Sequence, residues 1–258
     1  EAGRVCGVAT GDMGIGKNGQ PLPNFQRGME LRGQYTVFAE GARGHLGKQL
    51  IAHYQLDAGR DPSSWSIGIK ELWEVPASQA QPGLVVHTSG WPLGQNGVGG
   101  GFLYHCEGNK VALGYVLGLN YSNPWLSPFD EMQRWKTHPA IRPHIEGGKR
   151  IGYGARALNN GGLQAMPQLA FPGGVLVGCE AGLLNAARIK GTHTAIKSGM
   201  LAADAIVQAL GSGRSLDVLD AYPQAFRASW LHQELERSKN FKPWFNNYGS
   251  LAGTLMTG

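Results

Sequence analysis

The chain has 258 residues, a net charge of +5 and 40 glycines, and only 16% of its residues are charged. Apolar residues and seven tryptophans occur along the whole length, which excludes a disordered chain. The basic residues are scattered rather than clustered, so we expect no nucleic acid partner.

Cysteine and histidine spacing predicts neither a disulfide framework nor a metal site. Cys6, Cys106 and Cys179 are far apart and odd in number. The histidines show no His-x-Glu-x-x-His spacing, so no metal-ligating residue is expected. No apolar run reaches the roughly 20 residues needed to span a bilayer. Because the chain starts at Glu1 without methionine and stops in mid-pattern at Gly258, we expect it to be part of a longer protein.

The first 59 residues predict short strands and hairpins followed by one helix. Residues 35–39 form an apolar, β-prone run that is closed by Glu40 and Gly41. Residues 44–54 then place apolar side chains at helical spacing. A buried strand, an acidic residue and a glycine before a helix are typical of a dinucleotide-binding fold, although an ordinary strand–helix junction has the same pattern.

Residues 60–140 carry the alternation of half-buried strands. Apolar residues alternate with polar or small ones over 65–73 and 111–119, which predicts two strands. Residues 84–91 and 102–106 are expected to form further strands between them. This region therefore predicts an antiparallel or mixed sheet with helices on one face.

Proline positions indicate where the next helices begin and end. Ser127 as the cap and Pro128 at the first helical position predict a helix that ends near His138. Residues 215–239 predict one or two helices, broken or kinked at Pro223.

A long helix is predicted after the short strand 175–177, which breaks at Gly178. Thr192 is expected to cap its first turn, and Gly211 and Gly213 to end it. Five apolar residues recur at helical spacing and predict a buried face: Ile196, Met200, Ala203, Val207 and Leu210. A second stripe has almost no side chain and allows close packing: Ala195, Gly199 and Ala202.

The start of this long helix is a candidate anion site. A helix amino end after a glycine-rich turn offers unpaired N–H groups and the positive end of the helix dipole. An ordinary strand–turn–helix unit, with glycines for tight packing, is the alternative interpretation.

Several motifs in the second half resemble one flavoprotein family. Phe171-Pro-Gly-Gly, Gly178-Cys-x-x-Gly and Ile189-Lys-Gly-Thr-His-Thr-Ala-x-Lys-Ser-Gly resemble the electron transfer flavoprotein-ubiquinone oxidoreductases, within the glutathione-reductase-like flavoproteins. Residues 121–139 and 146–159 are similar to that family almost continuously.

The resemblance implies FAD as cofactor and ubiquinone as substrate. It implies these flavin-contacting residues: Glu40, Gly41, Gly178, Cys179, Gly182, Asn185, Gly191, Thr192 and His193. It places the quinone at Gly99, Gly100 and Phe102, with Val98 where the family often has an aromatic residue. No side chain need act as acid or base, because the flavin carries the chemistry.

The resemblance also implies partners that this chain does not hold by itself. Electrons would pass from reduced electron-transferring flavoprotein through FAD and a 4Fe-4S cluster to ubiquinone. The chain contains no Cys-x-x-Cys, and no Gly-x-Gly-x-x-Gly joins a strand to a helix in it, so we expect it neither to ligate the cluster nor to supply the diphosphate loop. A prenyl reductase or ring hydroxylase of the same superfamily, and a non-catalytic quinone- or membrane-binding module, are the alternatives.

The expected fold is α/β, with FAD-binding segments interleaved with a mixed or antiparallel quinone-binding sheet. We expect FAD-binding segments at 1–59 and 146–240, the quinone-binding sheet at 60–145 and a membrane-surface segment at 241–258. Aromatics and a lysine in that last segment predict interfacial contact, although a buried helix start is the alternative. The implied location is peripheral or monotopic on an inner membrane, at the bacterial cytoplasmic or mitochondrial matrix face.

Overall fold

The computed structural model describes residues 1–94, 97–241 and 243–244. The chain divides into two compact units. The first contains Glu1–Gly59, Pro167–Ala181 and Gly191–Glu234, and the second contains Arg60–Met166, Gly182–Lys190 and the described residues from Leu235 onward.

Both strands and helices occur throughout the described residues. The strands are β1 (Gly7–Ala9), β2 (Met13–Ile15), β3 (Pro21–Gln26), β4 (Glu30–Arg32), β5 (Thr36–Phe38), β6 (Trp65–Glu74), β7 (Val85–Ser89), β8 (Gly99–Cys106), β9 (Lys110–Gly118), β10 (Lys149–Asn159), β11 (Ala170–Phe171) and β12 (Gly174–Leu176). The helices are α1 (His45–Tyr54), α2 (Pro128–Lys136), α3 (Thr192–Gly211), α4 (Ala221–Ala228) and α5 (Trp230–Ser238).

The first unit is built on a three-stranded sheet in the order β11-β12-β5. Strand β12 runs parallel to β5, with Leu176 opposite Phe38. Because parallel strands end at the same edge of a sheet, the segments that follow them, at Glu40 and Gly178, start from the same edge. The buried ring of Phe171 packs between those of Phe38 and Tyr54 in the core of the first unit.

The face of α3 that was predicted to be buried is exposed, so that prediction is wrong. Ile196, Met200 and Val207 are 60%, 53% and 70% exposed. The buried side of the helix instead carries small and hydroxyl residues: Thr194, Ser198, Ala202, Ala205 and Ala209. Their short side chains let the Gly178 turn approach, and the Gly178 N–H donates to Ser198 Oγ at 2.9 Å.

The second unit is built on an antiparallel sheet in the order β10-β6-β9-β8-β7. The predicted strands of this region are confirmed. Its core contains fully buried aliphatic and aromatic side chains from the strands and from α2: Leu103, Val111, Leu113, Tyr115, Leu117, Met132 and Trp135. Trp135 of α2 packs against Tyr115 of β9, with ring centroids 5.9 Å apart.

Strand β10 belongs to the sheet of the second unit. The sequence placed the return to the flavin-binding segments at residue 146. In the structure β10 pairs along its length with β6, with Asn159 opposite Trp65. The first unit therefore resumes only at Pro167.

Two helix predictions have different outcomes. Ser127 Oγ accepts the N–H of Asp130, and Pro128 is the first residue of α2, as predicted. The break between α4 and α5 falls at Ser229, not at Pro223. Pro223 lies in the first turn of α4, where its missing N–H has no intrahelical partner to lose.

No helix among the described residues combines the length and apolar character needed to cross a membrane. The predicted membrane-surface segment, 241–258, lies outside the described residues except for Phe241, Pro243 and Trp244.

Candidate functional site

The segment after β5 stabilises the start of α1. Glu40 Oε2 accepts the N–H of Gly47 at 2.8 Å, and its Oε1 accepts that of Leu46 at 3.3 Å. These are two of the N–H groups that a helix start leaves unpaired. The carboxylate of Glu40 is thus bound to α1, and the neighbouring Gly41 has φ +90° with open space at its Cβ position.

The turn after β12 packs on α3. Gly178 has φ +59°, and a Cβ there would lie 3.1 Å from the Cβ of Ala195. Glycine therefore suits both the left-handed conformation and the close approach to the helix. Cys179 follows in the turn Gly178–Ala181, and burial raises the pKa of its thiol, so it stays protonated at neutral pH.

The amino end of α3 has no side-chain cap. The helix begins at Thr192, and the flanking Gly191 makes no capping hydrogen bond, so the prediction that Thr192 caps the turn is wrong. The carbonyl of Gly191 accepts the N–H of Ala195 and the hydroxyl of Thr194. The N–H groups at the start of this 20-residue helix thus have no intrahelical acceptor and no side-chain cap, and they lie at the positive end of the helix dipole.

The imidazole of His193 is bound within the first unit. Its Nε2 lies 2.7 Å from Glu234 Oε1, and its ring stacks on Trp230 with an interplanar angle of 7°. The side chain therefore anchors the start of α3 to α5. Because the imidazole is already bound, this geometry favours the backbone N–H of His193 over its side chain as a flavin contact.

Gly182 and Asn185 belong to the second unit. Asn185 is buried, and its backbone pairs with that of Lys190 in both directions at 3.0 and 3.2 Å. Its Oδ1 accepts the N–H of Arg188. Gly182 has φ +74° and lies against the amide of Asn159. Both residues therefore shape the loop that leads toward Gly191.

The predicted quinone residues lie at the start of β8. Gly99 pairs with Leu117, and Gly100 lies between Ser89 of β7 and Val116 of β9. A Cβ on Gly100 would lie 2.3 Å from the carbonyl oxygen of Thr88. The glycines thus permit close strand packing, and a side chain at Gly100 would disturb the sheet before it reached any ligand.

A hydrogen-bonded group supports this end of the sheet. Thr88 Oγ1 accepts from Trp135 Nε1 at 2.8 Å and from the Gly101 N–H at 3.1 Å. The Tyr115 hydroxyl donates to the carbonyl of Trp91 at 3.2 Å. Phe102 points to the other face of β8, where its ring packs over Gly114 and against Tyr104.

Sequence reasoning missed two groups with buried carboxyls. Glu71 lies in the second unit and binds Lys136, Arg150 and the indole N–H of Trp73. Glu180 lies in the turn after Gly178 in the first unit. The only sequence signal for either was an acidic residue within an otherwise apolar or glycine-rich segment.

The part of the chain that the structure describes contains no group of three or more His, Cys, Asp or Glu side chains able to hold a metal ion.

Comparisons with known proteins agree with the resemblance. The family model for the ubiquinone-binding domain of electron transfer flavoprotein-ubiquinone oxidoreductase matches residues 65–158. The chain is 54% identical to the Pseudomonas aeruginosa oxidoreductase of that name, over 98% of this chain and 46% of the relative. It is 50% identical to the mitochondrial oxidoreductase of Bos taurus, over 100% of this chain and 43% of the relative.

A solved structure shows the fold. A geranylgeranyl bacteriochlorophyll reductase-like protein from Thermoplasma acidophilum is similar with a TM-score of 0.71 and 18% identity, over 100% of this chain and 58% of that one. The chain spans about half the length of the curated relatives that it matches. Over almost its whole length the chain is similar to the electron transfer flavoprotein-ubiquinone oxidoreductases, and residues 65–158 match the model of their ubiquinone-binding domain.

Proposed function

We propose that the complete protein carries electrons from reduced electron-transferring flavoprotein to ubiquinone, using FAD held by the first unit. The uncapped amino end of α3, behind the turn that starts at Gly178, is the observation that carries this proposal. Its N–H groups suit anionic oxygens, including those of a negatively charged reduced flavin. FAD, when bound, accepts the electrons and passes them on.

The residues proposed to hold FAD act mainly through their backbone. Gly41, Gly178 and Gly191 offer backbone groups without a side chain in the way, and Cys179, which follows Gly178, is a neutral thiol. Thr192 and His193 contribute N–H groups of the first helical turn. Glu40 acts indirectly, by stabilising the start of α1. Gly182 and Asn185 shape the loop that leads to Gly191.

We propose that the second unit binds ubiquinone near Gly99, Gly100 and Phe102. The match of residues 65–158 to a ubiquinone-binding domain supports this assignment. Ubiquinone dissolves in bilayers, so the proposal includes a membrane surface as partner, at the bacterial cytoplasmic or mitochondrial matrix face. We also propose that the complete protein holds a 4Fe-4S cluster, which this chain does not ligate.

Substitution at the start of α3 tests the FAD proposal. In the full-length protein we expect Gly191→Glu to weaken FAD binding about tenfold or more. The added carboxylate would repel the anionic oxygens that the helix start attracts, an interaction of about 1–2 kcal/mol. Gly211→Glu makes the same change at the other end of α3, where a Cβ meets nothing within 4 Å. It should leave the FAD dissociation constant unchanged. Equal FAD affinity in both variants would contradict the proposal.

A charge beside β8 tests the quinone proposal without disturbing the glycines. Val98 is half-buried next to Gly99, so Val98→Asp should lower ubiquinone turnover about tenfold, because burying a carboxylate beside the bound quinone is unfavourable. Val85→Asp is the control, because Val85 is exposed at the opposite end of β7. FAD content should stay normal in both variants. A normal KM and kcat for ubiquinone in Val98→Asp would place the quinone elsewhere.

A further inference from the structure

A buried carboxyl group lies beside the start of α1 in the first unit. Glu180 is 5% exposed and belongs to the turn Gly178–Ala181. Its Oε2 atom is buried and has no hydrogen-bond partner among the described residues. A buried, incompletely paired carboxylate is costly, so its position needs an explanation.

Two glycines make room for this group, Gly44 immediately before α1 and Gly47 in its first turn. A Cβ on Gly47 would lie 1.8 Å from Glu180 Oε1, and a Cβ on Gly44 would lie 2.3 Å from its Oε2. No other residue fits at these distances without displacing the acid. The carboxyl group of Glu180 thus rests directly on the helix backbone, in a notch that only glycines leave open.

A second carboxyl group shares the same notch. The Cβ position on Gly44 is also 2.6 Å from Glu40 Oε2. The two Oε2 atoms therefore lie within about 5 Å of each other, a separation at which two negative charges repel strongly. Glu40 already accepts two helix N–H groups, as a carboxylate does.

We propose that Glu180 is a positioning residue that carries a proton in mildly acidic solution. As a neutral acid it holds the turn Gly178–Ala181 on the first turn of α1, beside the ionised Glu40. This inference rests on the proposed function in one respect: both segments that it joins carry predicted flavin contacts, Glu40 and Gly41 on one side and Gly178 and Cys179 on the other.

The charges around Glu180 agree with the geometry. Burial first, and then the charge of Glu40, raises the pKa of Glu180 from its ordinary value of 4.5 to about 7. Lys48 of α1 and the backbone N–H groups of Glu40 and Gly44 act in the opposite direction. Cys179, on the same turn, adds no charge, because burial raises the pKa of its thiol.

The proton should make stability depend on pH in a defined window. Because folding raises the pKa, the folded protein binds this proton more tightly than the unfolded chain. The stabilisation is complete below pH 4.5 and is lost as the pH rises through about 7. Above that pH, repulsion from Glu40 favours withdrawal of the turn.

Glu180→Gln tests the proposal, because its carboxamide is neutral at every pH and has nearly the same shape. We expect the Tm of the full-length protein, stripped of FAD, to fall relative to that of Glu180→Gln as the pH rises from about 5 to about 8. Glu107→Gln makes the same change at an exposed position between β8 and β9, and it should keep the wild-type pH profile. Parallel profiles for wild type and Glu180→Gln would overturn the proposal.

Infrared spectroscopy gives a second measurement. Wild type at pH 6 should show a protonated-carboxyl band that disappears with a midpoint near pH 7 and is absent from Glu180→Gln. If the variant fails to fold, the wild-type band alone decides, and its absence across this range overturns the proposal. Both measurements use protein without FAD, so they are independent of the cofactor and the quinone.

Discussion

Glu71→Gln is expected to destabilise the second unit by about 3–5 kcal/mol, the usual cost of leaving a buried charge without its partner. The Glu71 side chain is 2% exposed and binds Lys136 at 2.8 Å and Arg150 at 3.1 Å. Without its charge, two cations face one another, and Lys136 is itself only 12% exposed. Urea unfolding of the variant would measure the change in free energy.

Glu146→Gln is the matched control for this variant. Glu146 pairs with Arg142 at 2.7 Å, but both side chains are more than half exposed. Exposed pairs contribute about 0–1 kcal/mol, so this control should unfold almost as wild type does. A Glu71→Gln variant that is as stable as the control would mean that solvent reaches Lys136 and replaces the lost carboxylate.

The carboxylate of Glu71 should also make the stability of the protein sensitive to acid. Burial by itself raises the pKa of Glu71, but hydrogen bonds from Lys136 and Trp73, the charge of Lys136 and the bond from Arg150 together lower it below its ordinary value of 4.5. The stabilisation is therefore present above pH 4.5 and is lost as the pH falls through the lower, folded-state pKa. Wild type should lose stability in that acid range, and Glu71→Gln should lose less.

Gly101→Ala is expected to destabilise the protein by about 3 kcal/mol, at the upper end of the cost of overpacking a core. Its new Cβ would lie 2.3 Å from Cε2 of Trp135. That indole is 1% exposed and is held by a hydrogen bond to Thr88, so it cannot move aside without breaking the bond. Thermal and urea unfolding would measure the loss.

Gly154→Ala provides the comparison in the same sheet. A Cβ on Gly154 meets nothing within 4 Å, and alanine loses less backbone entropy on folding than glycine does. This variant should match or slightly exceed wild-type stability. A Gly101→Ala variant that also matches wild type would show that the Trp135 ring has room to move.

Much of the second unit follows from local patterns in the sequence. The alternation over residues 65–73 and 111–119 predicts β6 and β9, because the apolar side chains on one face of each strand pack in the core of the second unit, where those of β9 are buried and those of β6 are partly buried. The cap at Ser127 and the proline after it mark the start of α2 for equally local reasons. Such features depend on a few neighbouring residues.

The burial of α3 could not be predicted in the same way. Helical spacing correctly identifies Ile196, Met200 and Val207 as one apolar stripe, but it contains no information on what covers each face. The opposite face packs closely because Ser198 and Ala202 are small and Ser198 accepts the N–H of Gly178. The choice between the two faces depends on contacts distant in sequence.

The candidate site was predictable only in part, for a related reason. The glycines at 41, 178 and 191 could be selected because each follows a strand or precedes a helix. The role of Glu40 in holding α1, the bond from His193 to Glu234 and the burial of Glu180 depend on side-chain directions. Sequence spacing does not determine those directions.

The outer position of β10 has a consequence for behaviour in concentrated solution. An edge strand presents unpaired backbone groups that can recruit a strand from another molecule. Three cationic residues lie exposed along β10, Lys149, Arg150 and Arg156, so two such edges repel when they approach. The opposite edge, β7, carries no charged residue but is only five residues long. The sheet is thus protected from edge-to-edge aggregation by charge on one side and by shortness on the other.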